Sequence, residues 1–309
     1  MDAFCNYSQN SSQQPQQQQY QQQQQQQQQQ YAQPPGPPPQ SVQQPPIELQ
    51  PQPQKPFLSR GRKLFALDAN RLNPGKDFRL NLQQKTYVSN ENDRASDPLF
   101  SGLDIAHLKS KPTYARFLAL LDNFTAEDGV AETITDARLR EEKAFIDEIY
   151  KTGPIQYLHK YLIAKKLVSS DPSQFKDQLH SIWFELYKRV VKNDSSAFEH
   201  AFVGEKAGRA DYRGFILPKS KQGRGAKPTG NEHVLGFQLE WNGHLKPIST
   251  FLIGVSPEYE LALYTLVFLA GEDGVPVSID IDTIECEVVV HQFTNRSGQR
   301  IGSAYVSMV

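Results

Sequence analysis

The hydrophobic period of this chain changes part-way along its length, and that change constrains the fold more than any other feature. Over residues 112–124, Tyr114, Phe117, Leu118 and Leu121 recur at helical spacing. Over 137–150, Leu139, Phe145, Ile146 and Ile149 do the same, with charges between them. Gly153-Pro154 breaks the chain and opens a helix over 155–167. Asp171-Pro172 then supplies an N-cap and a proline suited to a first helical position, followed by a stripe of Phe175, Leu179, Ile182, Trp183, Leu186 and Val190. From residue 234 the apolar residues alternate or run β-branched. The segments 234–241 and 247–254 flank Asn242-Gly243, a hairpin dipeptide. Ser256-Pro257-Glu258 starts one more helix, and 275–281, 284–293 and 303–308 read as strands. Helices followed by strands predict the α+β class, with a helical part over 98–192 and a β-rich, antiparallel part over 193–309.

The first quarter of the chain is of another kind. Residues 9–54 are almost entirely Gln and Pro, and no charge falls between Asp2 and Glu48. Such a segment buries too little apolar surface to offset the roughly 1–2 kcal/mol of backbone entropy lost per ordered residue. Residues 1–56 are therefore expected to be a disordered Gln/Pro-rich tail, with the prolines at 34–39 favouring polyproline II. The tail suits self-association or proline docking, and equally a length-variable linker. Residues 57–97 carry Arg60, Arg62, Lys63, Arg71, Lys76 and Arg79 with few periodic apolar positions, and read as a basic, loop-like linker.

Charge and cysteine content narrow the function classes. The 33 Lys+Arg balance 34 Asp+Glu, so RNA or DNA contact has to come from a local patch. Two cysteines, Cys5 and Cys286, supply neither a disulfide framework nor a thiolate zinc site. No apolar run reaches membrane-spanning length, and the first residues lack a basic region followed by an apolar core, so the expectation is a soluble intracellular protein.

No phosphate loop, dinucleotide-binding glycine pattern or His-Glu-x-x-His is present. His107, His159 and His180 fall in a loop or in charged helices and read as surface or capping groups. The informative cluster is Phe198-Glu199-His200-Ala201-Phe202-Val203-Gly204-Glu205, a histidine between aromatics and close to two carboxylates. Strand alternation puts Phe198, His200 and Phe202 on one face, which leaves two readings: a histidine buried among aromatics, or a working group.

Five blocks, in order, resemble the EndoU family. They are that cluster, Asp211-Tyr212-Arg213-Gly214, Trp241-Asn242-Gly243-His244-Leu245-Lys246-Pro247, the stretch FLIGVSPEYELALYTLVFL over 251–269, and Ile301-Gly302-Ser303-Ala304-Tyr305. The similarity runs from about residue 98 to the end. It implies a metal-dependent endoribonuclease, usually using manganese, that cuts single-stranded U-rich RNA at uridylates and leaves a 2′,3′-cyclic phosphate. That chemistry needs a base at the 2′-hydroxyl, an acid at the departing 5′-oxygen and a fixed cation beside the phosphorane. By motif matching, His200 corresponds to the family's first catalytic histidine and Lys246 to its lysine. Glu199 and Glu205 correspond to the flanking acids, and Ser303 and Tyr305 to contacts with the uridine.

The chain departs from the family in one place. There, the equivalent of Gly204-Glu205 leads into a segment bearing a second histidine in a His-Asn-Trp context. Here Glu205 runs directly into Lys206-Ala207-Gly208, so the domain reads as internally truncated near 205–207 and short of its second proton-transfer group. His233 and His244 do not fall where the family transfers protons. Manganese prefers oxygen ligands, but no dense acidic cluster appears; Glu258 and Glu260 read as first-turn helix acids, and no metal ligand is nominated. Lys219, Lys221, Arg224 and Lys227 form a basic loop that either holds phosphates or is merely solvated. The sequence thus supports an impaired uridylate-specific endoribonuclease, expected to be a monomer apart from self-association through its tail. The alternative is a non-enzymatic RNA-binding or interaction protein with a Gln-rich assembly tail.

Overall fold

The computed structural model describes residues 57–125, 129–203, 210–217, 219–220, 223–224, 227–241, 244–282, 284–295 and 298–308. The expected tail and the 205–207 junction lie outside them.

The first described element corrects the reading of residues 57–97 as loop. Leu58–Leu67 is a helix, α1, with Gly61, Leu64 and Phe65 buried in the main core. Its charged residues masked it: only a few positions point inward, and one of them is a glycine with no side chain to signal burial. A Cβ on Gly61 would lie 2.0 Å from Ile279 Cγ2. Residues 72–103 then run as a strap containing the short pair β1 (Arg79–Leu80) and β2 (Phe100–Ser101).

A short helix the sequence reading did not expect, α2 (Ile105–Ser110), places His107 on a helix and not in a loop. The expected helices follow: α3 (Pro112–Leu120), α4 (Asp136–Ile149), α5 (Gly153–Ala164) and α6 (Pro172–Phe184). Thr135 caps α4 by accepting from the Arg138 N–H, and Asp171 caps α6 by accepting from the Ser173 N–H. Phe145, Ile146 and Ile149 are buried as expected, but Leu139 is 42% exposed. In α6, Phe175, Leu179, Ile182 and Trp183 are buried, while the helix ends at Phe184, so Leu186 and Val190 fall beyond it.

Beside the two-stranded pairs, the longer described strands form two three-stranded antiparallel sheets. β3 (Ala210–Phe215), β6 (Val234–Trp241) and β7 (His244–Leu252) make one, in the order β3-β6-β7. Between β3 and β6, Lys219–Ser220 (β4) pairs with Gly223–Arg224 (β5). β6 and β7 pair up to Trp241 opposite His244, with Asn242 and Gly243 themselves outside the described residues. After α7 (Pro257–Ala270), β8 (Val277–Ile281), β9 (Ile284–Asn295) and β10 (Gly298–Met308) make the second sheet, in the order β10-β9-β8. The architecture is α+β with antiparallel sheets, as the change of period implies.

Two cores divide the work. The larger gathers α1, the helices, α7 and the inner face of the second sheet. The smaller joins Tyr212, Phe215, Leu235, Phe237 and Leu239 to Leu72, Phe78, Ala95 and Leu99 from the strap. Helix α7 is anchored at its start. Ser256 Oγ accepts from the Tyr259 N–H, and Asp68 Oδ2 accepts from the Ser256 N–H at 3.0 Å. Beside it the buried Glu258 accepts from Asn70 Nδ2 at 2.7 Å, so this first-turn acid is also a packing contact. Burial pushes the Asp68 carboxyl up to about 6 from its ordinary 3.8, against the pull of its Ser256 hydrogen bond.

Two predictions follow from these contacts. Helix propensity alone would favour alanine over glycine inside α1 by about 1 kcal/mol. The contact with Ile279 reverses that sign, so Gly61→Ala should destabilise the fold by about 1–3 kcal/mol in urea denaturation. For Asp68, the folded chain holds the proton more tightly than the unfolded chain. The stability this group contributes is complete below pH 3.8 and is lost as the pH rises through about 6. Asp68→Asn keeps an acceptor for Ser256 and should flatten the decline between pH 4 and 7, a difference of about 3 kcal/mol for a two-unit shift.

Candidate active site

His200 sits on a turn of π-helix, Glu199–Val203, not on a strand. Helical spacing puts Phe198 and Phe202 together, with ring centroids 5.2 Å apart. Phe198 is fully buried and also packs against Phe117, Phe124, Phe145 and Phe184. His200, two residues on, leaves that face and is half-buried, while Glu199 is buried at 2% exposure. The alternation reading of Phe198, His200 and Phe202 is therefore corrected: the aromatics are the anchor of the turn, and the histidine is what they hold out. The turn starts from Ser196, with the Glu199 N–H donating to Ser196 Oγ and the His200 N–H to the Ser196 carbonyl.

The segment leading into this turn is knotted by one carboxylate. Asp194 is 6% exposed and accepts three backbone N–H groups, from Arg189, Val190 and Val191, each at 2.7 Å. Asn193, just before it, takes a φ of 63°, the left-handed conformation that asparagine tolerates. The same segment reaches β10. Tyr187 Oη donates to the Ile301 carbonyl at 3.3 Å, and Arg189 donates to the Gly302 carbonyl. Gly302 is a β-bulge: Ile301 lies opposite Gln292, but Ser303 lies opposite His291. The bulge sets which way Ser303 and Tyr305 face. None of Tyr187, Arg189 and Asp194 stood out in the sequence, although Asn193-Asp194-Ser195-Ser196 has the composition of a side-chain-capped turn.

Lys246 lies on β7, opposite Leu239 of β6, and is exposed. Ser303 and Tyr305 lie on β10, both half-buried. β10 packs against both the His200 turn and β7, so it joins the pieces that the sequence reading nominated separately. Glu205 and Lys221 lie outside the described residues, as do the side chains of Lys219 and Arg224; Lys227 is exposed. His233, buried, donates from Nδ1 to the Ile253 carbonyl at 2.7 Å, and burial holds its pKa below the usual imidazole range. A cleft of about 180 Å³ lies between α4 and α6, lined by Arg138, Glu142 and His180 among others. None of the nominated residues lines it.

Among the described residues, no three His, Cys, Asp or Glu side chains gather as a metal ion would need. The described residues thus offer manganese no ready set of ligands. Among the same residues, no helix is long and apolar enough to cross a membrane.

The family model described as "Endoribonuclease XendoU" matches residues 59–306. The chain belongs to the XendoU endoribonuclease family. Among curated relatives, "Poly(U)-specific endoribonuclease-B" of Xenopus laevis is 38% identical, over 80% of this chain and 91% of its own length. "Uridylate-specific endoribonuclease C" of Danio rerio is also 38% identical, over 80% of this chain and 86% of its own. The solved structure of XendoU, presented as a splicing independent snoRNA processing endoribonuclease, superposes with a TM-score of 0.70 at 35% identity, covering 81% of this chain and 96% of that one. The XendoU match begins inside α1, ahead of the 98 at which the motif resemblance starts, in keeping with the burial of Leu64 and Phe65.

The Asp194 knot is open to a direct test. Asp194→Ala leaves three N–H donors without their carboxylate and should cost about 3 kcal/mol in urea denaturation, with Asp194→Asn intermediate.

Proposed function

We propose that this chain is a uridylate-specific endoribonuclease of the XendoU family whose proton relay is incomplete. The observation that carries the reading is β10, which bears Ser303 and Tyr305 and lies against both the His200 turn and the Lys246 strand. In the proposed reaction a uridine sits at Ser303 and Tyr305. Its 2′-hydroxyl loses a proton and attacks the adjacent phosphorus, the bond to the 5′-oxygen breaks, and that oxygen takes up a proton. The products are a 2′,3′-cyclic phosphate and a 5′-hydroxyl. His200 serves one of the two proton transfers, and Lys246 places its ammonium beside the charge that builds on the phosphorane. Glu199 and Glu205 support His200.

The second proton-transfer group belongs to the segment that we take to be missing between Glu205 and Lys206. One feature of the comparisons supports this: the alignment to the Xenopus laevis relative spans 275 residues while using 80% of a 309-residue chain, as a block absent from this chain would produce. Removal of one general acid or base typically lowers rate about 10²–10⁴-fold. Single-stranded U-rich RNA is the substrate in this reading, the folded part is a monomer, and the location is intracellular. Self-association, where present, runs through the Gln-rich tail. Manganese enters on the family's account, without ligands assigned from this chain.

The test compares three proteins on a uridine-rich single strand with manganese, scoring cyclic-phosphate ends. The chain as it stands should cut about 10²–10⁴-fold more slowly than a version carrying the family's His-Asn-Trp block after Glu205. In the grafted protein, His200→Ala and Lys246→Ala should each abolish cleavage and leave RNA binding within a few-fold. Full activity of the ungrafted chain, indifferent to His200→Ala, would sink the assignment. A grafted protein that binds RNA and never cuts it would favour the binding-protein alternative.

A further inference from the structure

Among the described residues, four other histidines are accounted for by the fold. His107 lies on the exposed helix α2. His159 is buried, stacked on Phe175 and hydrogen-bonded to Tyr150 Oη and the Ser169 carbonyl. His180 pairs with Glu142, and His233 with the Ile253 carbonyl. His291 is held differently. It stands on β9 directly opposite Ser303, and Val289 stands opposite Tyr305. Residues paired across an antiparallel ladder share a face, so His291, Ser303 and Tyr305 all project from the same side of the sheet. The imidazole and phenol centroids are 6.1 Å apart, with their planes tilted by 32°.

The loop between α7 and β8 fixes His291 from behind. The Gly274 N–H donates to the Val290 carbonyl at 2.9 Å, and the Gln292 N–H donates to Asp273 Oδ1 at 2.7 Å, so both neighbours of His291 are pinned. Gly274 takes a φ of 68°, and a Cβ there would lie 3.1 Å from both Cε1 and Nδ1 of the imidazole. Bare backbone therefore lies along one edge of the ring. The ring remains half-buried, and among the described residues no group hydrogen-bonds its nitrogens. A rigid, partly open aromatic ring beside two residues nominated for a nucleotide has a simple use. Proteins that bind single strands stack bases on such faces, whatever hydrogen-bond pattern the base carries.

We propose that His291 is a stacking platform for the nucleobase held at Ser303 and Tyr305. This rests on the uridine site proposed above and adds a base-binding residue that the motif comparison does not nominate. The imidazole supplies the face, the Gly274 loop keeps it in place, and Tyr305 bounds it on one side. With one edge closed by backbone, the ring contributes its plane more than a two-point hydrogen bond, so the contact should tolerate another aromatic residue.

The test is binding of a labelled oligouridylate with 2′-deoxyuridine at the cutting position, which reads the pocket whether or not the chain cleaves. His291→Ala should weaken binding about 5- to 100-fold, the range for losing one base–aromatic stack. His291→Phe should stay within a few-fold of the parent, and circular dichroism should show both variants folded. Unchanged affinity in His291→Ala, or a loss in His291→Phe as large as that in His291→Ala, overturns the proposal. Ser303→Ala and Tyr305→Ala separate the two ways of failing. If they weaken binding and His291→Ala does not, only the stacking role falls. If none of the three weakens binding, the uridine site falls with it.

Discussion

A helix without a polar face has to be enclosed on every side, and α7 is such a helix. Tyr259, Leu261, Ala262, Leu263, Leu266 and Val267 are buried around its whole circumference, together with Glu258 and Thr265. Helices α1, α3 and α5 close over it, and β9 passes along its other flank. Two of its polar side chains are met individually: Trp183 Nε1 donates to Thr265 Oγ1 at 2.9 Å, tying α6 to α7, and the Tyr264 hydroxyl donates to Glu260 at 3.0 Å. Burial pushes the Glu260 carboxyl up to about 7. The helical half and the second sheet are thus two walls around one rod, which explains why α1, far away in sequence, belongs to the same core as β8.

The candidate site lies where these walls meet the smaller core. The aromatic cluster around Phe198 fixes one end of the His200 turn, and the Asp194 knot fixes the segment before it. From that knot, Tyr187 and Arg189 reach the carbonyls of Ile301 and Gly302 and so hold the β10 bulge. One loop therefore sets both the approach to His200 and the direction of Ser303 and Tyr305. Carboxylates accepting several backbone N–H groups are short-range and stiff, which is what a site built on a loop needs if it is to keep its geometry.

What could be read from the sequence follows from which residues carry a signal of their own. Helices α4 to α6 announce themselves because Phe145, Ile149, Phe175, Leu179 and Trp183 repeat at the helical period, and α7 because Ser256 and Pro257 mark its start. α1 is quiet because its closest contact is made by Gly61 and its exposed face is cationic. The strand reading of 198–202 failed because three residues two apart are compatible with alternation, while the deciding contact is the Phe198–Phe202 pair at helical spacing. His200, Lys246, Ser303 and Tyr305 are nominated through motif resemblance alone. Asp194 and His291 were not, since one acts through backbone groups and the other through register with a strand whose bulge only the structure places.

The proposed loss between Glu205 and Lys206 is bracketed by two segments that are anchored independently. Upstream, Phe198 and Phe202 belong to the larger core; downstream, Tyr212 and Phe215 belong to the smaller one. β3 pairs with β6 from Ala210 to Phe215. The strap holds it from the other side: the Thr86 N–H donates to the Phe215 carbonyl at 2.8 Å, and Tyr212 Oη donates to the Leu82 carbonyl at 2.7 Å. The contacts named for each anchor are made by residues outside 204–209. Shortening the connection between two separately fixed ends leaves those ends in place, so the loss proposed above falls between the anchors and not on either of them. In the function proposed above this separates binding from chemistry, because the residues assigned to RNA contact stand on β7 and β10, clear of that junction.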